Sequence, residues 1–222
     1  QMTASYTYYG RLRQKARQSP DPDLKGADFS ADVQNWEKYT TPEQMKERWG
    51  ENFDAYYAKL TEAAEKAAGY ALTYDGEWID ATYYAISAGI TENSQDIWGG
   101  NLPYLTAVAS PGDTLAAGYR TKAEFSSEEL KEALLSSFSD LNFSDSPASW
   151  IGESVRSDSG SVLTISVCGT ELPGSKFRSA LGLRSQNFTV SFQEDSFVFT
   201  VLGYGHGVGM SQTGAQYMAK QG

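Results

Sequence analysis

The chain has 222 residues and a mass of 24.3 kDa, the length of one large or two small domains with a real core. A formal charge of −10 argues against nucleic acid as a partner, because binding phosphates requires a basic surface. No apolar run approaches the length of a bilayer span, and the single Cys168 excludes an internal disulfide framework and a multi-cysteine zinc site.

Met2, Tyr6, Tyr9 and Leu12 recur at helical spacing and predict a helix over 2–18, with Arg11, Arg13, Lys15 and Arg17 in its later turns, near the negative end of the dipole. "SPDPDLKG" breaks it. Thr41-Pro42-Glu43-Gln44 has a capping-box layout that opens a short helix to about Trp49. Phe53, Tyr56, Tyr57, Leu60, Ala64 and Ala67 continue the helical period, and Gly69 is a natural stop.

The pattern then changes to alternation. "YALTYDGEWIDATYYAIS" reads as two strands around Asp75-Gly76. Ser126 to Glu129 caps a helix through "ELKEALLSSF". "SWIGESVRSDSGSVLTISVCG" is a second hairpin, with Ser157 to Gly160 as its loop and Cys168 as a small buried strand residue. "SKFRSALGL" predicts a short helix, and "NFTVSFQEDSFVFTVLGYG" a third hairpin around Glu194-Asp195. The expected class is α+β, with N-terminal helices packed on a mainly antiparallel sheet built from hairpins. One domain over 1–222 is expected, helical over 1–69 and strand-rich over 70–222.

Two segments could carry chemistry. In "GYGHGVGMSQ", residues 203–212, glycines alternate around the chain's one histidine, His206. Extended, they would share one bare face, open either to a ligand or to a second backbone segment crossing it. "SQTGAQYMAK" reads as a helix whose first N–H groups, near Ser211, could face a polar ligand atom. A Ser–His pair of Ser211 and His206 has no recognisable third member. In "ISAGITENSQDIWGGNLPYL", residues 86–105, Ser87, Thr91, Glu92, Asn93, Ser94, Gln95 and Asp96 crowd one Gly-bordered loop with Trp98 and Tyr104 behind. Such a loop either reads sugar hydroxyls or is a solvated run of Asx-type turns. The chain's 14 Tyr and 5 Trp suit sugar rings, whose C–H faces stack on aromatics. Glu92 and His206 are the candidate catalytic groups, and Ser87, Thr91, Asn93, Tyr204, Ser211 and Gln212 the candidate substrate contacts. His206, Ser211 and Gln212 are expected in one cleft with Glu92 and Asn93. The neighbours of Glu92 look too polar to raise its pKa strongly.

"TENSQDIWGGNLPYLTAVASPGD", "SALGLRSQNFTV" and "GYGHGVGMSQTGAQYMA" resemble, in order, signatures of the stage II sporulation protein D (SpoIID/LytB) family. The resemblance runs from about Leu72 to the end. It implies an extracytoplasmic lytic transglycosylase of peptide-free glycan strands, anchored in the membrane by a segment ahead of Gln1. It also implies sporulation or cell-wall hydrolase proteins as partners, with no membrane contact by this chain itself. The family's acid is a Glu in a helix reading roughly E-A-L-K-A-Q, A-V-A-A-R-T-Y. Gln1 matches the Gln of that pattern, so the acid is expected five residues before the chain, and a further segment is expected after it. Tyr6 stands where the family has Arg. "GADFSADVQNWEKY" carries none of the Cys and His of the metal loop found in some relatives, so no metal and no cofactor is expected.

Overall fold

The structure is a computed structural model that describes residues 1–30, 40–143 and 146–222. It divides into two compact units, Gln1–Thr82 and Tyr83–Gly222. Most of the stretch at 26–39, expected to hold no metal, lies outside the described residues.

The first unit holds helices α1 (Met2–Gln18), α2 (Pro42–Trp49) and α3 (Phe53–Ala67), and a hairpin of β1 (Thr73–Tyr74) and β2 (Glu77–Trp78). At α2 the Thr41 hydroxyl accepts the Gln44 N–H while the Gln44 side chain accepts the Thr41 N–H, with Pro42 in the first turn. Asp75 and Gly76 both take positive φ, the conformation of a tight primed turn. The ladder closes after two residue pairs, shorter than the alternation predicts. Thr7, fully buried, ties α1 to the chain beyond α3: its Oγ1 donates to the Thr3 carbonyl and accepts the Leu72 N–H.

The second unit comprises β3 (Tyr83–Tyr84), α4 (Ser94–Trp98), β4 (Arg120–Ser126), α5 (Ser127–Leu135), β5 (Ile151–Arg156), β6 (Val162–Val167), β7 (Thr170–Pro173), α6 (Gly174–Ala180), β8 (Phe188–Gln193), β9 (Ser196–Leu202), β10 (Met210–Ser211) and α7 (Gln212–Gln221). Two antiparallel sheets, β4-β9-β8 and β5-β6-β7, carry its core. Alternate residues of β9, Phe197, Phe199 and Val201, turn inward against Phe177 of α6, Phe188 of β8 and Leu130 and Leu134 of α5. Burying each of these side chains is worth about 1.5–3 kcal/mol. The class is α+β, helices with antiparallel sheets built from hairpins.

Three sequence expectations change. Tyr83-Tyr84 does not extend the first hairpin; as β3 it pairs in parallel with β10, at the far end of the chain. The glycines at 203, 205, 207 and 209 are not extended, because all four take positive φ and coil the segment instead of exposing a face. Cys168 leaves the strand at φ 49°, in the turn between β6 and β7, and is only half-buried.

Candidate functional site

The coiled glycine segment closes onto residues 84–92 within the second unit. The Tyr204 N–H donates to the Ile86 carbonyl, the Ile86 N–H to the Tyr204 carbonyl, and the Glu92 N–H to the Gly207 carbonyl at 2.7 Å. Glu92 bridges Val208 in parallel register. The contact is so close that a Cβ at Gly203 would stand 2.7 Å from the Ile86 carbonyl oxygen, one at Gly205 2.6 Å from the Tyr84 Cβ, and one at Gly207 2.8 Å from the Glu92 Cγ. What the glycines admit is a second stretch of chain, its backbone at Gly203 and the side-chain stems of Tyr84 and Glu92 at Gly205 and Gly207.

The crossing places Glu92 and His206 on one cavity of about 10 Å³, shared with Ser87, Ser161, Ser185 and Asn187. That is room for about one water-sized group and far too little for a sugar ring. Glu92 is 3% exposed and its Oε2 has no hydrogen-bond partner. Burial pushes its carboxyl up from the usual carboxylate range, and the nearby Ser161 and Ser157 hydroxyls draw it partway back. The polar neighbours spend themselves elsewhere: Thr91 accepts the Val108 N–H, Asn93 accepts the Ala107 N–H and donates to Asp96, and the Ser94 hydroxyl accepts the Leu102 N–H. The β5–β6 loop covers the spot, with Ser159 donating to the Thr91 carbonyl and Asn187 donating to the Ser159 carbonyl.

His206 lies between the rings of Tyr84, 5.3 Å away between centroids, and Trp98, 5.1 Å away. Its Nδ1 accepts the Val208 N–H. Burial pushes the imidazole down, and the Arg178 charge adds to this against a hydrogen bond with the Tyr83 backbone. At neutral pH the ring is therefore uncharged.

Of the other candidates, Ser87 lines the same cavity, while Thr91, Asn93, Tyr204, Ser211 and Gln212 do not. Ser87 and Ser211 are instead joined by Asp113, a residue the sequence reading passed over. Asp113 is fully buried in the turn Pro111–Leu115. It accepts the Ser87 N–H and hydroxyl on one oxygen and the Ser211 hydroxyl on the other. Ser211 also accepts the Gly214 N–H as the cap of α7. A serine so engaged, at 4% exposure, is no nucleophile for His206. Gln212, half-buried, opens α7. Tyr204 is 46% exposed beneath the Arg184 guanidinium, 4.3 Å from its ring centroid. The sole sequence signal for Asp113 was the Pro-Gly-Asp turn ahead of a strand, which many surface turns share.

Among the described residues no group of three or more His, Cys, Asp or Glu side chains is placed to hold a metal ion, and no helix is long and apolar enough to cross a membrane.

No family model matches the chain. It is 34% identical over 192 residues to stage II sporulation protein D of Bacillus subtilis (strain 168), a match that takes in 86% of the chain and 54% of that protein. The protein of the same name in Bacillus amyloliquefaciens matches with the same identity and coverage. An amidase enhancer of Bacillus subtilis (strain 168) is 24% identical over 219 residues, covering 76% of the chain and 31% of that protein. The chain thus spans about half the length of the sporulation relatives it matches.

Proposed function

Because the chain belongs to the stage II sporulation protein D family, we propose that it is part of a peptidoglycan lytic transglycosylase acting on peptide-free glycan strands outside the cytoplasmic membrane. The observation that carries the reading is the 34% identity over 192 residues, 86% of the chain. A strand without peptides carries one carboxylate per disaccharide, a far lower charge density than a nucleic acid, so a chain of charge −10 does not repel it as strongly.

The chemistry needs one carboxylic acid. It protonates the glycosidic oxygen as the C1–O bond breaks. As carboxylate, it then takes the proton of the sugar's own C6 hydroxyl, whose oxygen bonds to C1 and leaves a 1,6-anhydro end. Water is not the nucleophile, so a second carboxylate is not required. Burial moves the Glu92 carboxyl upward, the direction such an acid requires, but its enclosure under the 157–161 loop keeps a glycosidic oxygen away. The reading therefore takes its acid from the family resemblance, which expects a Glu ahead of Gln1, and leaves Glu92 and His206 as buried supports of the crossing.

The test incubates denuded glycan strands with the full-length protein and with the 222-residue chain, and looks for anhydro-sugar ends by mass spectrometry. Ends are expected from the full-length protein only. General acid catalysis is typically worth about 10²–10⁴-fold, so its loss is readily seen. Ends formed by the short chain and abolished by Glu92→Gln would move the acid to Glu92. A second reading, a non-catalytic murein binder, is favoured by the amidase-enhancer match and by Tyr6 at the family's Arg position. It prevails if the full-length protein binds the strands and forms no anhydro ends.

A further inference from the structure

Among the described residues none of the four arginines of the second unit, Arg120, Arg156, Arg178 and Arg184, forms an ion pair, and the last two adjoin each other. Arg178 of α6 spends its donors on backbone, Nε on the Leu183 carbonyl and Nη2 on the Arg184 carbonyl, which fixes the turn after the helix. Arg184, on that turn, lies over the Tyr204 ring at 4.3 Å and against the backbone of Gly118, where an added Cβ would meet its Nη1 at 3.0 Å. Among the described residues neither arginine forms an ion pair. What sets Arg178 and Arg184 apart is that they adjoin each other, through the Arg184 carbonyl, beside the Tyr204 ring. A partly buried positive charge is costly unless something of opposite sign completes it.

Their position is next to the crossing. The Arg184 carbonyl accepts the Gly205 N–H, Ser185 lines the Glu92 cavity, and the field of Arg178 reaches both Tyr204 and His206. Tyr204 is exposed, so the stacked pair offers solvent an aromatic ring with a guanidinium lying over it. That combination matches a sugar bearing a carboxylate: the ring supports the C–H face, and the fork takes both oxygens of the acid.

We propose that Arg184 and Tyr204 form a subsite for the lactyl carboxylate of a muramoyl residue, with Arg178 supporting the fork through its bonds to the 183–184 carbonyls. The subsite rests on the glycan reading above and adds selectivity to it: alternate sugars of a bare strand carry this carboxylate, and polymers of N-acetylglucosamine alone do not. A guanidinium is preferred to an ammonium here because the contact is bidentate.

Calorimetric titration of the 222-residue chain compares two probes of equal length, peptide-free muramoyl oligosaccharides and N-acetylglucosamine oligomers. The chain is expected to bind the muramoyl probe about tenfold more tightly, a preference that shrinks with added salt. Arg184→Gln is expected to weaken the muramoyl probe more than the neutral oligomer, so that the preference is lost, and Arg184→Lys to retain part of it. Thermal midpoints of both variants confirm that they fold. Equal binding of the two probes by the unaltered chain overturns the subsite and leaves the glycan reading standing. So does an Arg184→Gln variant that weakens both probes alike or neither. Failure of the unaltered chain to bind either probe overturns the glycan reading and the subsite with it.

Discussion

Glu92 and His206 show how a single residue's surroundings set its chemistry. Both are titratable, both face one small cavity, and burial drives each toward its uncharged form, the carboxyl upward and the imidazole downward. For Glu92 the linkage to stability has a definite sign. Its folded-state pKa lies above its unfolded value, so the unfolded chain releases this proton first as pH rises. The contribution is whole below the ordinary carboxylate range and is lost as pH climbs through the folded value. Glu92→Gln removes the ionisation. The midpoint difference between variant and parent, followed by thermal unfolding from acid to neutral pH, is expected to shift steadily in the variant's favour. A difference that stays constant over that range would mean that Glu92 does not ionise against its surroundings. The burial was not legible in the sequence, since Thr91, Asn93 and Ser94 read as polar there. They bond to backbone groups of 102–108, and that long-range satisfaction has no local signature.

At the scale of elements, what the sequence showed well was local. The helices α1, α2, α3 and α5 and the hairpins β5–β6 and β8–β9 fall where capping boxes, periodicity and turn residues place them. What it hid was the parallel pairing of β3 with β10 and the coil of the glycine segment, because both depend on a partner remote in the chain. The glycine spacing of two mimicked a strand, yet the reason for glycine is the combination of left-handed φ and a neighbour within van der Waals distance. The two contributions can be separated. Gly182 has φ +61° and open space, whereas Gly203 has φ +78° and the Ile86 carbonyl oxygen 2.7 Å from the Cβ position. Gly182→Ala is expected to cost about 1–2 kcal/mol from backbone strain alone. Gly203→Ala is expected to cost at least about 1 kcal/mol more, since a backbone oxygen must move. Urea unfolding of the two variants measures the gap, and equal losses would show that the crossing yields without resistance.

For the whole molecule, the two units differ in how they are held. The core of the second is continuous, from Leu130 and Leu134 through Ile165 and Phe177 to Phe199 and Val201. Among the described residues the buried hydrophobic ones of the first are the alanines Ala4, Ala67 and Ala81, and its helices α2 and α3 expose most of their length. Local opening is easiest where little apolar surface is buried. Hydrogen exchange is therefore expected to run orders of magnitude faster in the amides of α3 than in those of β6 and β9, and mass spectrometry of peptic fragments resolves them. Comparable protection in both units would overturn this ranking. The parallel pairing of β3 with β10 also has a consequence in time. Residues 83–92 leave the ribosome long before residues 203–211, and no nearer segment supplies the carbonyl of Gly207 to the Glu92 N–H. The growing chain can complete both sheets of the second unit while Glu92 is still open to water on that side. The stretch that shuts it follows both sheets in the chain, so a nascent chain whose residues 203–211 have not yet emerged has its scaffold and no site.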